Sequence, residues 1–210
     1  MGFALMFAAS SGAVLSQGIL YVNPQPQPYY SMGGTPFDFY IDINGDGTND
    51  FILRSQDSGT SVNNAVLIPQ ADCMIVAMGG YVGDMTNGDV VGSSLNPIYQ
   101  WTNTKTTIGT LAILLDQQFS ENGNFAGQTN GYIGFDLVKN GLNYYGWMYV
   151  SSPDQDGLAG DAGIYGTITE WAYESSPNTP ITVGAVPEPS TWALLAVGAT
   201  FLFCRRKVIP

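Results

Sequence analysis

Short runs of β-branched and aromatic residues alternate with polar clusters along most of the chain, between positions 21 and 183. The clusters are rich in glycine, asparagine, aspartate, serine and proline, and no helical period connects the runs. Apolar runs bounded by such turn residues are typical of strands, and eight of them suit two packed sheets. We therefore predict an all-β fold, a single antiparallel β-sandwich of jelly-roll type. The predicted strands are Phe37–Ile43, Asp50–Arg54, Ala65–Ile68, Cys73–Met78, Ile108–Leu115, Tyr132–Val138, Leu142–Val150 and Ile164–Glu170.

Two of these strands are joined by Asn140-Gly141, a strong hairpin signal because both residues tolerate the positive φ of a type I′ turn. Pairing Val138 with Asn143 fixes the register of the hairpin. One face then looks aliphatic and carries Ile133, Phe135, Leu137, Tyr144, Gly146 and Met148. The other face carries Tyr132, Gly134, Asp136, Tyr145, Trp147 and Tyr149.

The second face, which we call the aromatic face, holds Tyr132, Tyr145, Trp147 and Tyr149. Phe135 and Trp147 each stand opposite a glycine, so we expect each ring to cover a bare backbone. An exposed aromatic face would form a flat platform on which sugar rings stack; alternatively, it packs under the second sheet or a loop. The exposure of Trp147 and Tyr149 distinguishes these two interpretations.

The first 17 residues have features of an export signal. An apolar stretch at 3–9 is followed by small residues and by Val14-Leu15-Ser16, which suits cleavage before Gln17. The positively charged start of such a signal is missing, so either the true start lies upstream or this stretch is a buried N-terminal strand. We predict a signal peptide at 1–17 and a folded ectodomain at 18–184.

The C-terminal segment, residues 185–210, combines a Pro-Glu-Pro motif, an apolar stretch and a basic end. The apolar stretch, Thr191–Cys204, has 14 residues, fewer than the roughly 20 that span a bilayer unaided, and snorkelling arginines extend it. It is apolar on all sides, whereas a core helix, the alternative, has a polar face. We therefore predict a transmembrane helix whose basic end stays in the cytoplasm. The motif is Val186, Pro187, Glu188 and Pro189, and the basic stop is Arg205, Arg206 and Lys207.

This order of motif, short apolar helix and arginine-rich end resembles the PEP-CTERM sorting signal of Gram-negative bacteria. The resemblance implies that an exosortase, a transpeptidase, recognises Pro187-Glu188-Pro189 and releases the body to the cell surface or extracellular matrix. Such a signal determines where the protein is located and implies no biochemical activity. The body is similar, less specifically, to small PEP-CTERM proteins in the stretches 21–24, 42–47, 144–147 and 172–174.

One loop has the spacing of a calcium site. Oxygen-bearing residues occupy its positions 1, 3, 5, 7 and 9: Asp42, Asn44, Asp46, Thr48 and Asp50. Gly47 at the sixth position permits a sharp turn, and Leu53 stands at the twelfth, where helix-loop-helix sensors have glutamate. Because the loop joins two predicted strands, we expect a structural calcium ion. The alternative is an aspartate-rich turn without a metal.

Charge argues against nucleic acid as a partner. The net charge is −11, and three of the six cations are the terminal basic residues, which leaves three cations against 17 acids. Affinity for a phosphate backbone comes largely from lysine and arginine, so a body with this balance repels nucleic acid.

Composition also argues against catalysis. Histidine is absent, which removes the commonest general base and the usual partner of a nucleophilic serine or cysteine. Glu170 and Glu174 could line a sugar cleft, but a charged strand end is the plainer explanation. Cys73 lies in an apolar run and is expected in the core. We predict no enzymatic activity.

Two functions remain open on sequence grounds. One is an exported, non-catalytic protein, held first in the inner membrane and then displayed at the cell surface or in the matrix. The other is a carbohydrate-binding module that uses the aromatic face to bind exopolysaccharide.

Overall fold

The computed structural model describes residues 18–23, 27–31, 37–57, 62–104, 106–113, 119–125, 130–151 and 164–187. These ranges contain strands and no helix, which confirms the predicted all-β class. The predicted signal segment and terminal helix lie outside the described residues. The strands are β1 (Ile19–Val22), β2 (Gln27–Ser31), β3 (Phe37–Ile41), β4 (Phe51–Asp57), β5 (Val62–Pro69), β6 (Met74–Met78), β7 (Tyr81–Val82), β8 (Val90–Val91), β9 (Gln100–Thr102), β10 (Thr106–Ile113), β11 (Phe119–Asn122), β12 (Asn130–Lys139), β13 (Leu142–Ser151), β14 (Ile164–Glu174) and β15 (Ile181–Thr182).

Thirteen of these strands form one continuous hydrogen-bonded sheet. Its main path runs β1-β14-β13-β12-β6-β7-β10-β5-β4-β3, with β2 on β14, β9 on β6 and β11 on β10. The strand pairs are antiparallel except for one parallel contact between β7 and β10. Strands β8 and β15 form a separate antiparallel pair. The predicted antiparallel pairing is therefore confirmed for the described residues.

The hairpin of β12 and β13 has the predicted register. Val138 pairs with Asn143, and the pairing continues without interruption to Asn130 opposite Ser151. Asn140 and Gly141 have φ angles of 54° and 73°, as a type I′ turn requires. Because side chains alternate along a strand, this register separates the aliphatic face from the aromatic face.

The aliphatic face packs into the larger of two cores. Ile133 and Phe135 are fully buried there, and the Phe135 ring meets the Phe51 ring of β4 edge to face, with centroids 5.6 Å apart. The indole Nε1 of Trp171 in β14 donates to the backbone oxygen of Ile43 over 3.0 Å. Strands from opposite ends of the sheet path thus share one core, because the sheet folds back over itself. The prediction that Ile133 and Phe135 lie inside is confirmed.

The aromatic face packs into a second core. Its cover comes from the segment 83–99 and from β15 with the turn that follows. Trp147 and Tyr145 are buried beneath this cover, so the face lies under another layer, as the alternative interpretation stated. The buried covering residues are Met85, Val91, Tyr99, Ile181 and Val183.

Two glycines in the hairpin leave space for neighbouring side chains. A Cβ on Gly146 would lie 2.2 Å from Cζ of Phe135, so the ring covers this bare backbone as predicted. A Cβ on Gly134 would lie 2.7 Å from Sδ of Met85 and 2.7 Å from Cγ2 of Val76. The atoms nearest to this position therefore belong to Met85 and Val76 of the second core, and cover of Gly134 by the tryptophan ring stays a prediction.

Several strands were not predicted: β1, β2, β7, β8, β9, β11 and β15. Strand β11 lies outside the predicted strands, and β5 begins at Val62, before its predicted start at Ala65. Strand β14 continues to Glu174, beyond its predicted end at Glu170. Strand β3 stops at Ile41, because Asp42 begins a loop that forms its own hydrogen bonds.

Candidate functional site

The predicted calcium loop connects β3 to β4 and is held together by its own backbone amides. Oδ1 of Asp42 accepts hydrogen bonds from the amides of Gly45 at 2.8 Å and Asp46 at 3.2 Å. Its Oδ2 accepts from the Gly47 amide at 2.8 Å, and Oδ1 of Asn44 accepts from the Asp46 amide at 2.9 Å. The loop is therefore a series of turns in which carboxylate and amide oxygens bind backbone N–H groups.

Two further carboxylates of the loop form hydrogen bonds, one with a residue outside the loop and one within it. Oδ1 of Asp46 accepts from the Thr48 amide at 2.9 Å, and its Oδ2 forms an ion pair with Nζ of Lys139 at 3.2 Å. The Thr48 amide, followed by the lysine, lowers the pKa of Asp46. Asp50 is buried, and its Oδ2 accepts from the Ile43 amide at 2.8 Å. Burial raises the pKa of Asp50 to about 6.

The residue types of this loop suit calcium, but its carboxylates already have other partners. Within the ranges that the structure describes, no group of three His, Cys, Asp or Glu side chains could hold a metal ion. Asp46 faces Lys139, and Asp50 faces the Ile43 amide. An ion in the loop would require these two carboxylates to change partners, so calcium binding stays a prediction.

The aromatic face does not form the predicted platform of four rings. Trp147 is fully buried, and Tyr145 is 2% exposed and stacks on Trp101 with centroids 6.0 Å apart. Tyr132 and Tyr149 are only partly buried, and their rings meet edge to face at 5.0 Å. The prediction is wrong for Tyr145 and Trp147, because the layer over the second core covers the inner two rings.

The outer two rings belong to a set that sequence reasoning missed. The strand register places Tyr132, Tyr149 and Glu170 side by side on β12, β13 and β14. The hydroxyl of Tyr21 in β1 donates a hydrogen bond to Oε2 of Glu170. These four residues, all partly exposed, are called the tyrosine row below. Tyr21 was missed because β1 was not predicted, although Ile19–Val22 is an apolar run that follows a glycine.

The groups considered for catalysis are engaged or buried. Glu170 accepts a hydrogen bond from the Tyr21 hydroxyl. Glu174 is buried, and its Oε1 accepts a hydrogen bond from the Ser176 amide at 3.3 Å. Cys73 is a buried free cysteine, and burial raises the pKa of its thiol to about 11. A thiol with this pKa is not a thiolate at neutral pH and is a poor nucleophile. The predicted absence of enzymatic activity stays a prediction.

Two aspartates, one buried and one partly buried, were not singled out by the sequence. Asp136 is fully buried on the aromatic side of β12, and neither carboxyl oxygen has a hydrogen-bond partner among the described residues. Burial raises its pKa to about 6, and the nearby Tyr144 amide offsets this only in part. Burial likewise raises the pKa of Asp84 to about 6. The hairpin register could have revealed Asp136, since it places a carboxyl beside large rings.

The described part of the C-terminus ends inside the predicted sorting motif. After β15 the Ala185 amide donates to the backbone oxygen of Thr182 at 3.0 Å, which closes a turn. Val186 is exposed and Pro187 is buried. In the portion of the chain that the structure describes, no helix has the length and hydropathy needed to cross a membrane. The remaining predicted residues, Glu188, Pro189, Arg205, Arg206 and Lys207, lie outside the described ranges.

A β-rich body followed at once by a compact C-terminal signal is typical of exported proteins that are sorted at the membrane. Comparison with protein families supports this class, since residues 185–207 match the PEP-CTERM protein-sorting motif. The chain thus carries a PEP-CTERM protein-sorting motif, and this motif implies exosortase-dependent sorting of an exported protein in a Gram-negative bacterium. Comparisons with curated proteins and with solved structures give no match.

Proposed function

We propose that this protein is a non-catalytic component of the cell surface or extracellular matrix, exported as a precursor and released by an exosortase. The observation that carries the proposal is the sorting motif at residues 185–207. It begins three residues after β15, the last described strand, whose Ile181 packs in the second core. The signal therefore starts where the folded body ends, and the buried Pro187 must be uncovered before a membrane enzyme can bind it.

We propose a separate role in sorting for each segment of the motif. Pro187-Glu188-Pro189 is the proposed recognition sequence. Thr191–Cys204 is the proposed membrane helix, and the basic residues after it keep the C-terminus in the cytoplasm. The body then stands outside the inner membrane until the exosortase cuts the chain. The proposed mature protein is the folded ectodomain, a two-layer sandwich formed by the folded-back sheet.

The fate of a C-terminal tag tests this proposal. An epitope placed after Pro210 should be lost from the surface form in a host that has an exosortase, while antiserum against the body still detects the protein. In a strain that lacks the exosortase, or with Glu188→Ala, the tag and the body should stay together in the membrane fraction. A surface-displayed protein that still carries the tag would contradict processing.

We also propose a structural calcium ion in the loop 42–50. Support comes from the ligand spacing and from the charges that the loop gathers. Burial, and after it the charges of Asp42 and Asp46, raise the pKa of Asp50 to about 6. A cation among these carboxylates would relieve their mutual repulsion, and Asp46 would exchange Lys139 for the ion. Outside the cell, modules with such loops bind calcium with dissociation constants of roughly 0.1–1 mM.

A second candidate function is recognition of exopolysaccharide, and the tyrosine row is the observation that favours it. Two of the four residues predicted for a carbohydrate platform, Tyr132 and Tyr149, remain partly exposed. They lie next to Glu170 and the Tyr21 hydroxyl, which supply hydrogen-bonding groups that the predicted platform lacked. The candidate site is therefore smaller than predicted, and it lies closer to the edge of the sheet.

A further inference from the structure

The tyrosine row extends over four neighbouring strands and rests on a rigid support. Tyr132 is opposite Tyr149, and Tyr149 is opposite Glu170. Strand β1 adds Tyr21 at the other end, through its hydrogen bond to Glu170. The buried Trp147 indole contacts both ends, with ring centroids 5.4 Å from Tyr132 and 6.4 Å from Tyr21. The row is thus held in place from beneath and does not depend on a loop.

An irregularity in β14 places Glu170 in this row. Tyr149 pairs with Glu170 but Val150 pairs with Ile168, so Thr169 is an extra residue that forms a bulge. In a regular strand Ile168 and Glu170 would lie on the same face. With the bulge, Ile168 is buried in the larger core while Glu170 lies beside the tyrosines. Bulges that redirect a side chain are over-represented next to functional sites.

The hydrogen-bonding state of the row suits a ligand rich in hydroxyl groups. Burial, followed by the hydrogen bond to Glu170, raises the pKa of Tyr21. Burial, followed by the charge effects of Tyr149 and Glu170, raises the pKa of Tyr132. Both phenols therefore stay protonated at neutral pH. The Tyr21 hydroxyl donates to Glu170, the Tyr132 hydroxyl can donate to a ligand, and the Glu170 carboxylate can accept further hydrogen bonds.

We infer that the tyrosine row binds a neutral polysaccharide, with sugar rings against Tyr132 and Tyr149 and sugar hydroxyls donating to Glu170. Aromatic rings offer apolar faces to the C–H groups of a sugar, and a carboxylate makes strong hydrogen bonds to its hydroxyls. The ligand should be neutral, because a body with three cations against 16 acids repels polyanions. This inference rests on the proposed surface location and names the ligand class of the second candidate function.

Affinity electrophoresis of the full-length chain tests the inference, in a detergent without a sugar head group. The gels contain laminarin or galactomannan as neutral probes and polygalacturonate as the anionic probe. Wild type should be retarded by a neutral probe and not by polygalacturonate. Tyr149→Ala and Glu170→Gln should each raise the dissociation constant at least roughly tenfold, as expected for losing a buried contact worth about 1.4 kcal/mol.

A control variant tests whether the loss of any exposed tyrosine weakens binding, or only the loss of one in the tyrosine row. Tyr40 on β3 is 54% exposed and lies outside the row, so Tyr40→Ala should leave retardation unchanged. Tyr149→Phe keeps the ring and should keep most of the binding, and melting temperatures verify that each variant is folded. The inference fails if neither neutral probe retards the wild type, or if Tyr40→Ala weakens binding as much as Tyr149→Ala. Neither result depends on the tag experiment, so sorting and sugar binding can fail separately.

Discussion

Replacing Asp136 by asparagine should reduce the pH dependence of folding stability. The Asp136 carboxyl is fully buried, and neither of its oxygens has a partner among the described residues. Burial raises its pKa from 3.8 to about 6. The anion is costly in this environment, so the folded chain holds the proton more tightly than the unfolded chain does.

The sign and size of the effect follow from this difference in proton binding. Because the folded-state pKa is the higher one, the stabilising contribution is complete below about pH 4 and is lost as the pH rises to about 6. A difference of about two pKa units corresponds to roughly 3 kcal/mol, as an upper value for one site. Asparagine cannot ionise, so the variant should not show this part of the loss.

Urea unfolding at pH 4 and pH 7.5, in the presence of a chelator, measures the effect. Burial also raises the pKa of Asp50 and of Asp84 to about 6, so the wild type should lose stability from all three sites. Asp136→Asn should lose up to roughly 3 kcal/mol less than the wild type between the two pH values. Asp72→Asn, at an exposed position, is the matched control and should behave like the wild type. Equal losses in Asp136→Asn and wild type would refute the reasoning.

Two further predictions concern the larger core and the loop. Phe135→Ala should lower the free energy of unfolding by roughly 3–5 kcal/mol, because the ring is fully buried against Phe51; a change within about 0.5 kcal/mol in urea unfolding would contradict this placement. Millimolar calcium should raise the melting temperature by binding the folded state, magnesium should substitute poorly, and Asp46→Ala should abolish the effect. If calorimetry detects no binding heat and a chelator leaves the melting curve unchanged, the loop is a turn without a metal.

The hairpin of β12 and β13 shows what could be predicted from sequence. Its turn residues, its register and the separation of its two faces depend on neighbours within about 20 positions. The local rules agree there. Asn140 and Gly141 tolerate the positive φ that a type I′ turn requires, and the glycine opposite Phe135 leaves space for its ring. The sequence therefore places Phe135 in the core before any long-range contact is known.

The second core shows what could not be predicted. Its cover includes β8 and β15, strands of two residues each that lie far apart in the sequence. Such short strands carry no period, so neither their existence nor their pairing can be derived from the local pattern. The exposure of Trp147 depends entirely on this cover, which is why the platform was predicted too large. The tyrosine row was missed because it includes Tyr21 of β1, a strand that was not predicted.

The pairing of β1 with β14 has a consequence for the timing of folding during export. Tyr21 and Glu170 are 149 positions apart, and the contact between Trp171 and Ile43 closes a separation of 128. Closing loops of this length costs chain entropy before any contact offsets it, so folds of this kind form slowly. The sheet cannot be completed until β14 has left the translocation channel, when almost the whole body is already outside. If the proposed membrane segment follows, we expect it to hold the chain at the surface of the membrane during this closure, so that release comes after the unpaired edge of β14 has been covered.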